Sequence, residues 1–191
     1  MDIILASQSP RRKELMGKLN IPFLIRAADI DEAMDAQKSP CEEVARVSRL
    51  KAEAVDHAPE DVVIAADTIV VCDGRVLGKP KDAAEAKAML SMLSGKTHQV
   101  MTGMTLLRGD RRLSHTEVTD VHFRPLSQQD IEDYIRTGEP MDKAGAYGIQ
   151  GGAALFCTGL VGDYYNVMGL PVCRLGQVLC RVAPEMMGED L

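Results

Sequence analysis

Apolar and polar positions follow two periods along the chain. Residues 62–71 (VVIAADTIVV) are an almost unbroken run of β-branched residues and alanine, interrupted only by Asp67 and Thr68. Such a run predicts a strand buried on both faces. Residues 98–107 and 113–123 form two long alternating segments around Gly109-Asp110, which predicts a twisted antiparallel ribbon. Shorter strands are predicted from Ile3 and over 21–27, and a tight turn at 72–75 returns the chain to Val76 and Leu77.

Between these strands the spacing becomes helical. Over 40–57 it places Val44, Val47, Leu50 and Ala54 on one stripe, with Lys51 at its edge. Over 82–93 it places Ala86, Met89, Leu90 and Leu93 on one face. Ser9-Pro10 predicts a helix start with an end near Leu19, Ser127 with Asp130 caps another helix that Gly138 stops, and 172–182 predicts a last one. Residues 139–156 and 159–171 are poor in large side chains and predict two glycine-rich loops, which either admit a ligand close to the backbone or are plain connections. No repeat, low-complexity segment or separable linker interrupts the series. The fold class is α/β.

Composition narrows the partners. With 46% hydrophobic and 26% charged residues and a mean hydropathy of −0.08, the chain reads as an ordinary globular protein of one domain, or one domain divided into two lobes. The net charge of −6 provides no global field for a nucleic-acid polymer, so a polyanionic ligand must meet a local cluster of cations. No apolar run reaches membrane-span length and no signal segment is evident, which predicts a cytoplasmic protein without a membrane partner. Cys41, Cys72, Cys157, Cys173 and Cys180 are expected to be reduced core thiols, and the four histidines show no ligand spacing.

The candidate chemistry begins at residues 3–15 (IILASQSPRRKEL). A helix start exposes unpaired N–H groups and the positive end of the dipole, so Arg11 and Arg12 are misplaced there unless an anion joins them. Ser7, Ser9 and the two guanidiniums form either a phosphate site or a solvated helix start. Lys51 and Lys79 lie in other elements, and Lys79 is held between Gly78 and Pro80. Glu32 follows a predicted strand, and Asp67 lies within a run where an unpaired charge is too costly to bury. Cations for a triphosphate and carboxylates for a divalent metal and a water are the parts of a phosphoanhydride hydrolase. Walker A, GxGxxG and nucleophile-elbow motifs are absent from the sequence.

The series Ser7-Gln8-Ser9-Pro10-Arg11-Arg12, Asp31-Glu32, Lys51-Ala52, Ala66-Asp67-Thr68, Gly78-Lys79-Pro80, Ala144-Gly145-Ala146-Tyr147-Gly148-Ile149-Gln150-Gly151 and Gly169-Leu170-Pro171 closely resembles the Maf family of nucleoside triphosphate pyrophosphatases. The resemblance runs from Ile3 to about Val182. It implies a single α/β unit over residues 1–191, Maf/ITPase-like, with a long twisted mixed sheet flanked by helices, a nucleotide cleft between two lobes and a flexible tail over 184–191.

The same resemblance implies cleavage between the α and β phosphates with a divalent cation, Mg²⁺ or Mn²⁺, in a homodimer. Carried over by position, Asp67 is the proton acceptor, Glu32 and Asp67 hold the metal, and Ser7, Arg12, Lys51 and Lys79 bind phosphate. Arg11, Thr68 and Gln150 match positions of substrate choice. AGAYGIQG with Gln150 resembles the branch acting on dTTP and UTP, and a Gln amide offers both a donor and an acceptor to the O4/N3–H edge of thymine or uracil. Two other readings stand beside it. One is a nucleotide-binding regulator of septum formation, which would not need both carboxylates. The other is the 7-methyl-GTP branch of the family, which Gln150 disfavours.

Overall fold

The structure, a computed structural model, describes residues 1–35 and 37–186. Its elements run β1 (Ile3–Leu5), α1 (Pro10–Gly17), β2 (Leu24–Ile25), α2 (Pro40–Glu53), β3 (Val62–Cys72), β4 (Arg75–Leu77), α3 (Ala83–Leu93), β5 (Thr97–Arg108), β6 (Arg111–Phe123), α4 (Gln128–Arg136), β7 (Cys157–Val161), α5 (Tyr164–Met168) and α6 (Val172–Val182). The seven strands form one mixed sheet in the order β2-β1-β3-β5-β6-β7, with β4 paired to β3. β1 is parallel to both β2 and β3, whereas β3–β4 and β6–β7 are antiparallel.

The chain divides into two compact units. The first contains Met1–Asp67, Thr102–Glu117 and the chain from Gly169 on; the second contains Thr68–Met101 and Val118–Met168. β3, β5 and β6 contribute residues to both.

In the first unit, Ile4, Ala6, Val63, Ala65 and Leu107 of the sheet region pack with Ala52 and Val55 at the end of α2. α2 begins at a complete capping box: Ser39 accepts from the Glu42 N–H and the Glu42 carboxylate accepts from the Ser39 N–H. Its buried side is Glu43, Val44, Val47, Ser48 and Ala52, so the stripe is rotated from the expected one, and Leu50 and Ala54 fall outside it. Gly103 of β5 lies against this helix. A Cβ there would strike the Val44 carbonyl, so only glycine allows the close approach.

In the second unit, Ala86, Met89, Leu90 and Leu93 of α3 are buried as the spacing predicts. Asp82 caps α3 by accepting from the Glu85 N–H at 2.8 Å, and Ser127 and Asp130 form the box that starts α4. His98, Phe123, Tyr147, Tyr134 and Phe156 pack edge to face.

Three expectations are corrected. The segment 159–171 is not one loop, because β7 covers its start and α5 its middle. β7 is short and half-exposed, with no apolar alternation to announce it. β2 keeps only two of its seven expected residues. The cysteines form no disulfide, but of the five only Cys72 is buried. α6 turns Leu175, Leu179 and Val182 inward, which puts Cys173 and Cys180 on its exposed side. Of the tail expected to be flexible, Pro184–Met186 form a 3₁₀ turn, and 187–191 lie outside the described residues.

Candidate active site

The first unit gathers six of the nine expected site residues: Ser7, Arg11, Arg12, Glu32, Lys51 and Asp67. Thr68, Lys79 and Gln150 belong to the second unit. Each position has a local cause.

Ser7 follows β1 and is buried, and its Oγ accepts from the Ser9 N–H at 3.2 Å. Ser9 therefore occupies the N-cap position of α1 without a side-chain cap bond, and Pro10 opens the helix. No acidic side chain occupies the first turn. Arg12, one turn in, extends along a fixed path: its Nε donates to the Gly169 carbonyl at 2.8 Å and its Nη1 to Ser7 Oγ at 3.3 Å. Gly169 presents that carbonyl with φ +114°, a conformation that favours glycine. Burial pushes the Arg12 guanidinium below its ordinary value. The charges of Asp67 and Glu32 oppose that effect, and the charge of Arg11 adds to it.

Asp67 lies in the middle of β3, a strand buried nearly throughout, and is itself 7% exposed. Its partner is Lys51, on the last turn of α2, whose Nζ donates to Asp67 Oδ1 at 2.7 Å. The same ammonium lies 2.9 Å from Glu32 Oε1. One cation thus bridges both carboxylates, with Asp67 enclosed and Glu32 half-exposed.

Glu32 is on an irregular segment, and two residues of α2 hold that segment in place. Arg46 Nη2 donates to the Ala33 carbonyl at 2.6 Å, and the Glu43 carboxylate accepts from the Asp35 N–H at 2.7 Å. Arg46 and Glu43 are paired to each other through Nε and Nη2. Hydrogen bonds from Arg46 and from the Asp35 N–H bring the Glu43 carboxyl down to about 2. Sequence reasoning assigns neither residue a role. The signal available was an ionisable residue, Glu43, next to Val44 on the buried stripe.

In the second unit Lys79 and Gln150 are exposed, and among the described residues neither side chain takes a hydrogen bond or ion pair. The backbone below them is fixed: the Gly145 N–H donates to the Gly78 carbonyl at 3.0 Å, next to Lys79. Gly145 has φ +67° and packs on Val70, so a side chain there is excluded by conformation and by space.

The model of the family described as Maf-like protein matches residues 2–182. The chain belongs to this family. Among its Maf relatives, a protein from Symbiobacterium thermophilum is 54% identical over 93% of this chain and 92% of its own length. One from Moorella thermoacetica is 46% identical over 98% of both. Each is named dTTP/UTP pyrophosphatase. Among solved structures, a HAM1 protein from Coxiella burnetii has a TM-score of 0.51 at 18% identity, covering 95% of this chain and 99% of that one. That likeness concerns the fold, which is Ham1-like as well as Maf-like.

Proposed function

We propose that the protein is a nucleoside triphosphate pyrophosphatase that hydrolyses dTTP and UTP to the monophosphate and pyrophosphate. The observation that carries the chemistry is the buried Asp67 paired to Lys51, whose ammonium also meets Glu32, in the unit that holds Arg12. The substrate rests on relatives of that name at 46–54% identity over nearly the whole chain.

Asp67 acts as the general base. Lys51 engages Oδ1, which leaves Oδ2 to take the proton of the attacking water. Arg12 is held in place by Gly169 and Ser7, so its guanidinium meets a phosphate with little reorganisation. Arg11, Lys51 and Lys79 add positive charge for the pyrophosphate leaving group. Gln150 reads the base edge, and Arg11 and Thr68 contribute to substrate choice.

The donor set fits a divalent metal. Glu32 and Asp67 are hard oxygen ligands already gathered around one cation, and Mg²⁺ commonly uses one or two carboxylates with substrate phosphates completing the shell. Bound there, Mg²⁺ or Mn²⁺ would polarise the phosphate and lower the pKa of a water. We also propose a cytoplasmic homodimer; no helix among the described residues is long and apolar enough to cross a membrane.

The test is pyrophosphate release from a nucleotide panel with Mg²⁺ or Mn²⁺, run beside Asp67→Asn. Release from dTTP and UTP should fall by about 10²–10⁴-fold in the variant, with its circular dichroism unchanged. Near wild-type turnover in the variant would remove Asp67 as the base, and activity restricted to purines would replace the substrate.

A further inference from the structure

Gln150 sits on a backbone that two side chains of the second unit hold from beneath. The Tyr134 hydroxyl donates to Glu139 Oε1 at 2.8 Å and accepts from the Gly148 N–H at 3.0 Å. Glu139 Oε2 accepts from the Gly152 N–H at 3.0 Å. The amides two residues before and two residues after Gln150 are therefore fixed by one hydroxyl–carboxylate pair. Between them the Gly151 N–H closes the turn on the Gly148 carbonyl at 3.1 Å.

The base of this clamp is rigid. Tyr134 is 4% exposed and packs edge to face on Phe156 at 5.2 Å. The Glu139 backbone is tied by Lys143, whose Nζ donates to the Glu139 carbonyl at 2.6 Å.

The clamp also accounts for the local glycines. A Cβ at Gly151 would collide with the Glu139 carboxylate, and one at Gly148 would lie 2.7 Å from Lys143 Cε. Their smallness makes room for the clamp. The Gln150 side chain, by contrast, is exposed and takes no hydrogen bond among the described residues. A fixed backbone under an unengaged amide sets how far that amide reaches.

Reach matters because hydrogen-bond pattern alone does not separate the bases. Guanine presents an O6 acceptor beside an N1–H donor, the same pair as O4 and N3–H of thymine or uracil, on a larger ring. We propose that Tyr134 and Glu139 are positioning residues that hold Gln150 at the reach of a pyrimidine and so discriminate against guanine nucleotides. The proposal rests on Gln150 being the residue that reads the base.

The experiment is steady-state pyrophosphate release from dTTP, UTP and dGTP by the full chain, Tyr134→Phe, Glu139→Ala, Glu139→Gln, Gln150→Ala and the double variant Tyr134→Phe/Gln150→Ala. Each lost hydrogen bond should lower the dTTP-over-dGTP ratio of kcat/KM about three- to tenfold, through KM more than kcat. Glu139→Gln, which keeps an acceptor for the Gly152 N–H, should recover most of the ratio. Adding Tyr134→Phe to Gln150→Ala should lower the ratio no further.

A ratio unchanged in Tyr134→Phe but reduced in Gln150→Ala overturns the clamp and keeps the base reader. A ratio unchanged in Gln150→Ala overturns the base reader and the clamp's role with it. Equal losses on all three nucleotides mark a structural role only and overturn the proposal. Should Glu139→Ala fail to fold, Tyr134→Phe, which keeps its ring on Phe156, carries the test. Its amide exchange at Gly148 and Gly152 should accelerate, and unchanged exchange would overturn the clamp.

Discussion

Arg12 illustrates how much of a site is decided by one side chain's geometry. Its fork spans a backbone carbonyl and a hydroxyl at once, 157 and 5 residues away in the chain. Lysine keeps the charge but has no planar fork to share between these two partners and a phosphate. Arg12→Lys is expected to raise the KM for dTTP about tenfold with the fold intact, as read by steady-state kinetics and a thermal melt. At this scale the sequence was informative wherever a residue conflicted with its surroundings. Asp67 in a buried strand and paired arginines at a helix start both pointed to chemistry. It was uninformative about partners: nothing in the spacing of Glu32 and Lys51 announces that they share an ion pair, because the stretch that leads from Glu32 to α2 has no period to fix its path.

Among the elements, α2 concentrates the most consequences. It presents Lys51 to Asp67 and Glu32, and through Glu43 and Arg46 it holds the segment on which Glu32 rides. Glu43→Gln should therefore weaken activity at subsaturating metal more than at saturating metal, which a Mg²⁺ titration of turnover would show. Equal loss at all metal concentrations would contradict the link to Glu32. The approach of α2 to the sheet depends on Gly103, so Gly103→Ala should cost about 1–3 kcal/mol in urea unfolding.

Elements with a sustained period were legible: the buried run of β3, the long strands β5 and β6, and helices α3 and α4 with their caps all lie within a few residues of expectation. β7 and α5 were not, because five-residue elements carry too little periodicity to be seen. In the fold Gly151 and Gly148 make room for Glu139 and Lys143.

Taken whole, the molecule should respond to acid in two stages, because the two units hold different titrating groups. His98 in the second unit is buried against Tyr147 and Phe123, with Nδ1 unpartnered among the described residues. Burial, and then the charge of His122, lower it from 6.5 to about 4. The unfolded chain binds this proton at higher pH than the folded one, so the stability His98 contributes is complete above pH 6.5 and is lost on descent to pH 4. Glu43 in the first unit runs from 4.5 to about 2, so its contribution is complete above pH 4.5 and is lost between there and pH 2. Hydrogen exchange followed by pH should show amides near His98 loosening first, at pH 5–6 by about 1–2 kcal/mol, while those of α2 remain protected. Simultaneous loosening would contradict this order.

The ammonium of Lys51 between two carboxylates has a practical consequence for handling the protein. A pair of anions assembled solely for a metal would repel once the ion was chelated, and the fold would slacken. Here the chain supplies its own counter-ion, so purification in a chelating buffer should leave the melting temperature where it was and silence only turnover. Dialysis into Mg²⁺ should then restore the rate without a refolding step.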